Sequence, residues 1–159
     1  MQYGIIIGRF QPLHAGHQSI INEIMHDGLT PVVLIGSSTT VGEHDPLSYV
    51  ERSSLIHQIY GGGVITLPLS DKISDKQWVS SIKLSLLDSG IHSKECCIYY
   101  WHKKGDLNIG LLLDSFKFKQ PTYPDIYEGL SATKIRNDPD KYKKYLDGRV
   151  YHKIKDLAK

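Results

Sequence analysis

The chain predicts an α/β fold in one domain, with a five-stranded parallel sheet flanked by helices. Three observations carry this reading. Apolar runs and helical apolar patterns alternate five times along the 159 residues, the order expected when helices cover both faces of a parallel sheet. The runs Tyr3-Gly4-Ile5-Ile6-Ile7 and Pro31-Val32-Val33-Leu34-Ile35 are almost wholly apolar, as strands buried on both faces must be. The chemically unusual residues cluster in the segments that follow strands, which gather on the edge where open α/β sheets bind ligands.

Taken in order, Tyr3 to Ile7 is the first strand and Gly8 to His17 a strand-to-helix turn. The helix behind it repeats Ile20, Ile21, Ile24 and Met25 at helical spacing and closes at Gly28. Pro31 to Ile35 is the second strand, ending at Gly36; a polar loop then runs through Ser37, Ser38, Gly42, His44, Asp45 and Pro46. Val50, Leu55, Ile56 and Ile59 suggest a helix from Ser48 to about Tyr60, stopped by Gly61 to Gly63. Val64 to Leu69 is the third strand, and Asp71 to Lys76 is polar. Trp78 to Leu87 has a helical pattern that stops at Gly90, and Cys96 to Trp101 is the fourth strand. Leu107 to Phe116 reads as a short helix, although so apolar a run has no period to assign it by. A short strand near Lys117 to Gln120 leads through Pro121 and Pro124 to Ser131, which opens the last helical region. Residues 131–159 are expected to form a helical cover, solvated on its lysine-rich side, whose tyrosines could pack against a second copy of the chain.

Composition excludes several classes of function. Hydrophobic residues make up 40% and charged residues 23%, as in ordinary soluble domains. A net charge of +2 is too small to attract nucleic acid without a local patch. Cys96 and Cys97 are adjacent in a strand and point to opposite faces, so they read as packing residues in a reducing compartment. No apolar run could span a bilayer and no secretory pattern opens the chain, so a cytoplasmic protein with neither membrane nor nucleic acid partner is expected.

Two segments carry chemistry. In Gly8-Arg9-Phe10-Gln11-Pro12-Leu13-His14-Ala15-Gly16-His17, Gly8 lets the chain leave the strand and Pro12 stiffens the loop. Gly16 bares a helix start, whose outward N–H groups and positive dipole end favour phosphate. His14 and His17, three residues apart, put two imidazoles on one side of that opening, and Arg9 adds a fixed charge. Together they could hold a phosphate chain while one of its bonds breaks. In Ser131-Ala132-Thr133-Lys134-Ile135-Arg136, Ser131 is a good N-cap, yet Lys134 occupies the position where a capping box wants Glu or Gln. A cation there opposes the helix dipole unless an anion is bound; Thr133 could add a hydroxyl and Arg136 a bidentate grip on phosphate oxygens. Elsewhere Asp71 and Trp78 lie seven residues apart. The indole could stack on a flat cationic ring or could simply belong to the core.

The first segment resembles the signature of nucleotidyltransferases with a His-x-Gly-His motif. Its Gly-Arg-Phe-Gln-Pro form is most similar to archaeal-type nicotinamide mononucleotide (NMN) adenylyltransferases and to the adenylyltransferase half of bifunctional Nudix enzymes. Ser131-Ala132-Thr133-Lys134-Ile135-Arg136 is similar to the family's second motif, Ser-x-Thr-x-x-Arg, and Asp45-Pro46-Leu47-Ser48 with Glu51-Arg52 resembles its Asp/Asn-Pro-Phe and Glu-Arg segments. The resemblance implies a Rossmann-like nucleotidyltransferase fold that joins NMN and ATP into NAD and pyrophosphate. It implies His14, His17 and Arg136 as catalytic groups. Gly8, Arg9, Phe10, Gly16, Ser131, Thr133, Arg136 and His102 would hold ATP, and Asp71, Trp78, Ser37, Ser38 and His44 would hold NMN. Mg²⁺ would arrive with ATP, since the sequence offers no carboxylate cage. His44 stands where some archaeal-type members have arginine, exchanging a permanent charge for one that depends on pH. Trp101 replaces a glycine, and no Nudix signature follows Arg136. FMN, phosphopantetheine or glycerol phosphate are alternative acceptors, and a non-catalytic ATP- or NAD-sensing module is the alternative of another class.

Overall fold

The computed structural model describes residues 2–39, 41–71, 74–99, 116–122 and 127–157. Within them the chain forms β1 (Tyr3–Gly8), α1 (Ala15–His26), β2 (Thr30–Ile35), α2 (Tyr49–Tyr60), β3 (Ile65–Pro68) and α3 (Asp75–Asp88), then β4 (Cys96–Tyr99), β5 (Lys117–Lys119), α4 (Ala132–Asn137) and α5 (Gly148–Leu157). The five strands make one sheet in the order β3-β2-β1-β4-β5, and every pairing is parallel. The order reverses at β1 and β4, so the loops after those strands flank the crevice where such sheets take ligands.

Alternation along β1 explains why the run had to be apolar throughout. Ile5 enters a core with Val32, Leu34, Ile82, Leu86 and Ile98, while Ile6 enters the opposite core with Ile20, Ile21, Ile24, Val33 and Ile56. Helix α1 lies so close to β1 that a Cβ on Gly4 would sit 2.5 Å from Ile24 Cγ2. Cys96 and Cys97 are free, and burial pushes the Cys96 thiol up to about 11, which keeps it protonated and unreactive. Among the described residues, no helix is long and apolar enough to cross a membrane.

Several boundaries differ from the sequence expectation. Helix α3 begins three residues before Trp78, because the Ser74 hydroxyl accepts from Gln77 N and caps it. In α2 the Ser48 cap forms with Glu51 at the third position. Val50, however, is 72% exposed and Arg52 takes the inner face at 1%. The final region divides into two α-helices: α4 stops at Asn137, since Asp138 precedes Pro139 and a pre-proline residue disfavours helix. Helix α5 then returns, packing Val150 and Ile154 on Leu47 and Leu55, with Lys153 Nζ 2.6 Å from Glu51 Oε2. The expected helix from Leu107 into Phe116, the end of the fourth strand at Trp101, and His102 and Pro124 lie outside the described residues, apart from Phe116 itself, which is buried.

Candidate active site

The turn after β1 is built by two histidines acting on backbone. His14 is the N-cap of α1; its Nδ1 accepts from Gly16 N at 3.1 Å, and His17 Nδ1 accepts from His14 N at 3.2 Å. The His17 backbone also donates to the His14 ring, which closes a reciprocal capping box. The rings stack with centroids 3.8 Å apart. An Nδ1 that accepts carries no proton, so each neutral ring holds its hydrogen on Nε2 and is a donor there. The helix start is therefore less bare than its glycine suggested, because Gly16 N–H is already taken.

Phe10 adopts φ 55, the left-handed region that costs a non-glycine residue strain. Its ring is 2% exposed, 4.7 Å from the His17 ring. Gly8 ends β1 without a positive φ, which corrects the expectation that its freedom turns the chain. What Gly8 supplies is room, since a Cβ there would meet Phe10 Cζ at 3.2 Å. Arg9 is exposed beside it.

Gln11 is 1% exposed and pairs like a second backbone strand: Nε2 donates to Leu47 O at 2.8 Å, and Leu47 N donates to Oε1 at 3.0 Å. Its own carbonyl accepts from Arg136 Nη1 at 2.7 Å across 125 residues. That bond brings the second segment to the first. Burial pushes the Arg136 guanidinium down, and the nearby Asp45 carboxylate pulls it back up. Ser131 spends its oxygen on the cap of α4, accepting from Lys134 N at 3.2 Å. Thr133, Arg136 and Asn137 line an open cavity of about 330 Å³ with Glu43, His44, Pro46, Ile154 and Leu157. His44 thus stands on the wall shared with Arg136.

In the loops after β2 and β3, Ser37 Oγ donates to both Asp71 carboxylate oxygens at 3.1 Å, and Ser38 N donates to Leu69 O at 3.2 Å. Trp78 is half-buried and packs against the α3 face of the core. Ser37, Ser38 and Asp71 are brought together, whereas His44 lies with Arg136. His102 is outside the described residues. Among the described residues, no three His, Cys, Asp or Glu side chains gather around a point that could hold a metal ion.

Three residues that the sequence reading quoted within its motifs, but gave no role of their own, contribute here. Arg52 is the largest: Nη1 donates to Arg9 O at 2.8 Å and Gly36 O at 2.6 Å, Nη2 to Ser37 O at 3.0 Å, and Nε to Ser48 O at 3.2 Å. Its spacing with Leu55 and Ile56 puts it on an apolar helix face, a signal that was available. The Gln11 amide had no such signal. Asp45, 8% exposed with Oδ1 unpartnered among the described residues, acts electrostatically on both Arg52 and Arg136.

Residues 5–138 match the model of the family described as cytidylyltransferase-like. Over 86 residues the chain is 37% identical to a nicotinamide-nucleotide adenylyltransferase of Methanolobus tindarius, a stretch that is 52% of this chain and 50% of that protein. The chain spans about half the length of the curated relatives it matches. A bifunctional NMN adenylyltransferase/ADP ribose pyrophosphatase from Francisella tularensis superposes with TM-score 0.70 at 21% identity, over 96% of this chain and 52% of its own. It is also solved complexed with AMP and a manganese ion, with TM-score 0.67 at 19% identity over 96% and 51%. A NadR protein in complex with NAD and AMP-PNP gives TM-score 0.68 at 17% identity, over 96% and 46%. These likenesses bear out the expected fold.

Proposed function

The chain belongs to the cytidylyltransferase-like family, and from that premise we propose that it is a nicotinamide-nucleotide adenylyltransferase, with residues 1–159 as one such domain. An oxygen of the NMN 5′-phosphate attacks the α-phosphorus of ATP, the bond from that phosphorus to the bridging oxygen breaks, and pyrophosphate leaves with the electron pair. NAD is the product. A phosphate oxyanion needs no base, so the protein contributes alignment and charge stabilisation.

The observation that carries this reading is the Arg136 bond to the Gln11 carbonyl, which supports one phosphate site fed by both segments. His14 and His17 offer Nε2–H donors to the α/β region. Arg136 and Thr133, with Ser131, suit the departing pyrophosphate, and Arg9 the phosphates near the end of β1. Gly8, Phe10 and Gly16 shape the loop that holds them, and His102 is a further nucleotide contact. Mg²⁺ carried by ATP would neutralise phosphate charge. For the acceptor, the Ser37–Asp71 pair with Ser38 and Trp78 suits a polar group beside a flat cationic ring. His44, on the Arg136 wall, suits phosphate rather than nicotinamide. A cytoplasmic setting agrees with the two free thiols.

The test incubates the protein with ATP, Mg²⁺ and a panel of NMN, FMN, phosphopantetheine and glycerol phosphate, and reads products by mass. NAD with equimolar pyrophosphate is expected from NMN. Turnover with another acceptor alone would overturn the assignment, and nucleotide binding without pyrophosphate release would indicate a sensor. His17→Ala should cut turnover about 10²–10³-fold, the usual effect of deleting one charge-stabilising donor. Its circular dichroism should match the wild type.

A further inference from the structure

Arg52 is a buried cation with no described carboxylate within ion-pair distance, and its four hydrogen bonds among the described residues all go to main-chain carbonyls. Taking a guanidinium out of water is costly, and an aliphatic residue would fill the same helix face without that cost. The carbonyls it chooses explain its presence. Arg9 O belongs to the peptide entering Phe10, and Gly36 O to the peptide entering Ser37; among the described residues these are the two non-glycine residues with positive φ, 55 and 52. A third bond, to Ser37 O, holds the peptide leaving the second of them. One planar fork therefore pins both left-handed turns, at the point where β1 and β2 part.

Each turn carries different chemistry onward. From Phe10 the ring reaches His17 at 4.7 Å. From Ser37 the hydroxyl reaches Asp71 at 3.1 Å. We propose that Arg52 is a positioning residue that sets the nucleotide loop and the acceptor loop together, so that filling one tightens the other. The proposal rests on the adenylyltransferase reading. Arg52 touches no substrate; it fixes the backbone from which Arg9, Phe10 and Ser37 act. Linkage makes the effect reciprocal between the two ligands.

The experiment measures NMN affinity by calorimetry with and without saturating AMP-PNP, and AMP-PNP affinity alone, for wild type, Arg52→Lys and Arg52→Met. Wild type should bind NMN about 5–150-fold more tightly with AMP-PNP present, the span usual for coupled sites. Arg52→Lys keeps the charge but not the fork. It should remain folded, lose most of the coupling, and show a drop in AMP-PNP affinity and in kcat of about tenfold each; Arg52→Met should lose more. A folded Arg52→Lys with wild-type coupling, AMP-PNP affinity and kcat would overturn the proposal. Should both variants fail to fold, the wild-type ratio decides, because a value of one overturns it. If wild type binds both ligands and forms no NAD, the functional reading falls while the coupling still reports on Arg52. If NMN does not bind, the functional reading falls and the AMP-PNP affinities decide.

Discussion

His14 does two things with one ring. Its Nδ1 caps α1 by accepting from Gly16 N, and the hydrogen of the neutral ring is thereby left on Nε2, the donor assigned above to the proposed phosphate contact. A proton added to Nδ1 would meet the backbone donor head-on, so cap and positive charge exclude each other at this residue. His14→Asn keeps an acceptor of the kind favoured at N-caps and removes the Nε2 donor. It should unfold in urea near the wild type while NAD formation falls as in His17→Ala. His14→Ala loses both and should be less stable by about 1 kcal/mol. Equal stability of the two variants would show that the ring contributes nothing as a cap. The spacing of these histidines was legible as two imidazoles on one side of a turn. Their capping was not, because histidine is outside the usual set of capping side chains and only the coordinates reveal which nitrogen faces the backbone. Arg52 was half legible: its spacing with Leu55 and Ile56 marks the apolar face, but its partners are carbonyls that sequence pattern does not mark.

At the level of elements, the close contact of α1 and β1 sets the pitch of the turn between them. Gly4→Ala would drive a methyl to 2.5 Å from Ile24 Cγ2 and 3.1 Å from Tyr99 Cε1, both on buried side chains. Overpacking of this kind costs about 1–3 kcal/mol, and a thermal melt should show it as a lowered Tm. Helix α5 closes a smaller core over α2, where Ile154 meets Leu47 and Leu55. Ile154→Ala should cost about 2 kcal/mol, the low end for such truncations. It should also loosen the cavity that Ile154 shares with Arg136 and His44. A rise in KM for ATP accompanying that loss would tie the cover to the site, and an unchanged KM would assign α5 to stability alone. Strands and helices were legible here because burial on two faces and on one face leave different periods. Helix ends were less so: Ser74 looked like part of a polar loop, and the break at Asp138 was written in Asp138-Pro139 but masked by the charged run behind it.

Across the whole molecule, the meeting of Gln11 with Arg136, 125 residues apart, is not a local pattern. Only the resemblance of two motifs to one family made it foreseeable. A second long-range tie had no motif at all. Asp27, which caps the end of α1, accepts from Tyr99 Oη at 2.5 Å in β4 and from Lys119 Nζ at 2.6 Å in β5. One carboxylate thus fastens the end of α1 to the two strands beyond β1. The Lys119 bond, then the Tyr99 bond, hold Asp27 below its ordinary value of 3.8, and burial followed by Asp27 pushes the Tyr99 hydroxyl up. A carboxyl whose native value is depressed stabilises the fold fully above its unfolded value, and that stability is lost as pH falls through the native one. Asp27→Asn should therefore melt below the wild type at pH 7. The gap should narrow once the pH drops beneath 3.8, where the wild-type carboxyl begins to take up its proton. Glu51 and Asp140 are also depressed, by Lys153 and by Tyr151 with Lys155, but they titrate in both proteins and cancel in the difference. A gap that stays constant from pH 7 to strong acid would mean that the clamp works through shape and hydrogen bonding alone, with no part for the charge on Asp27.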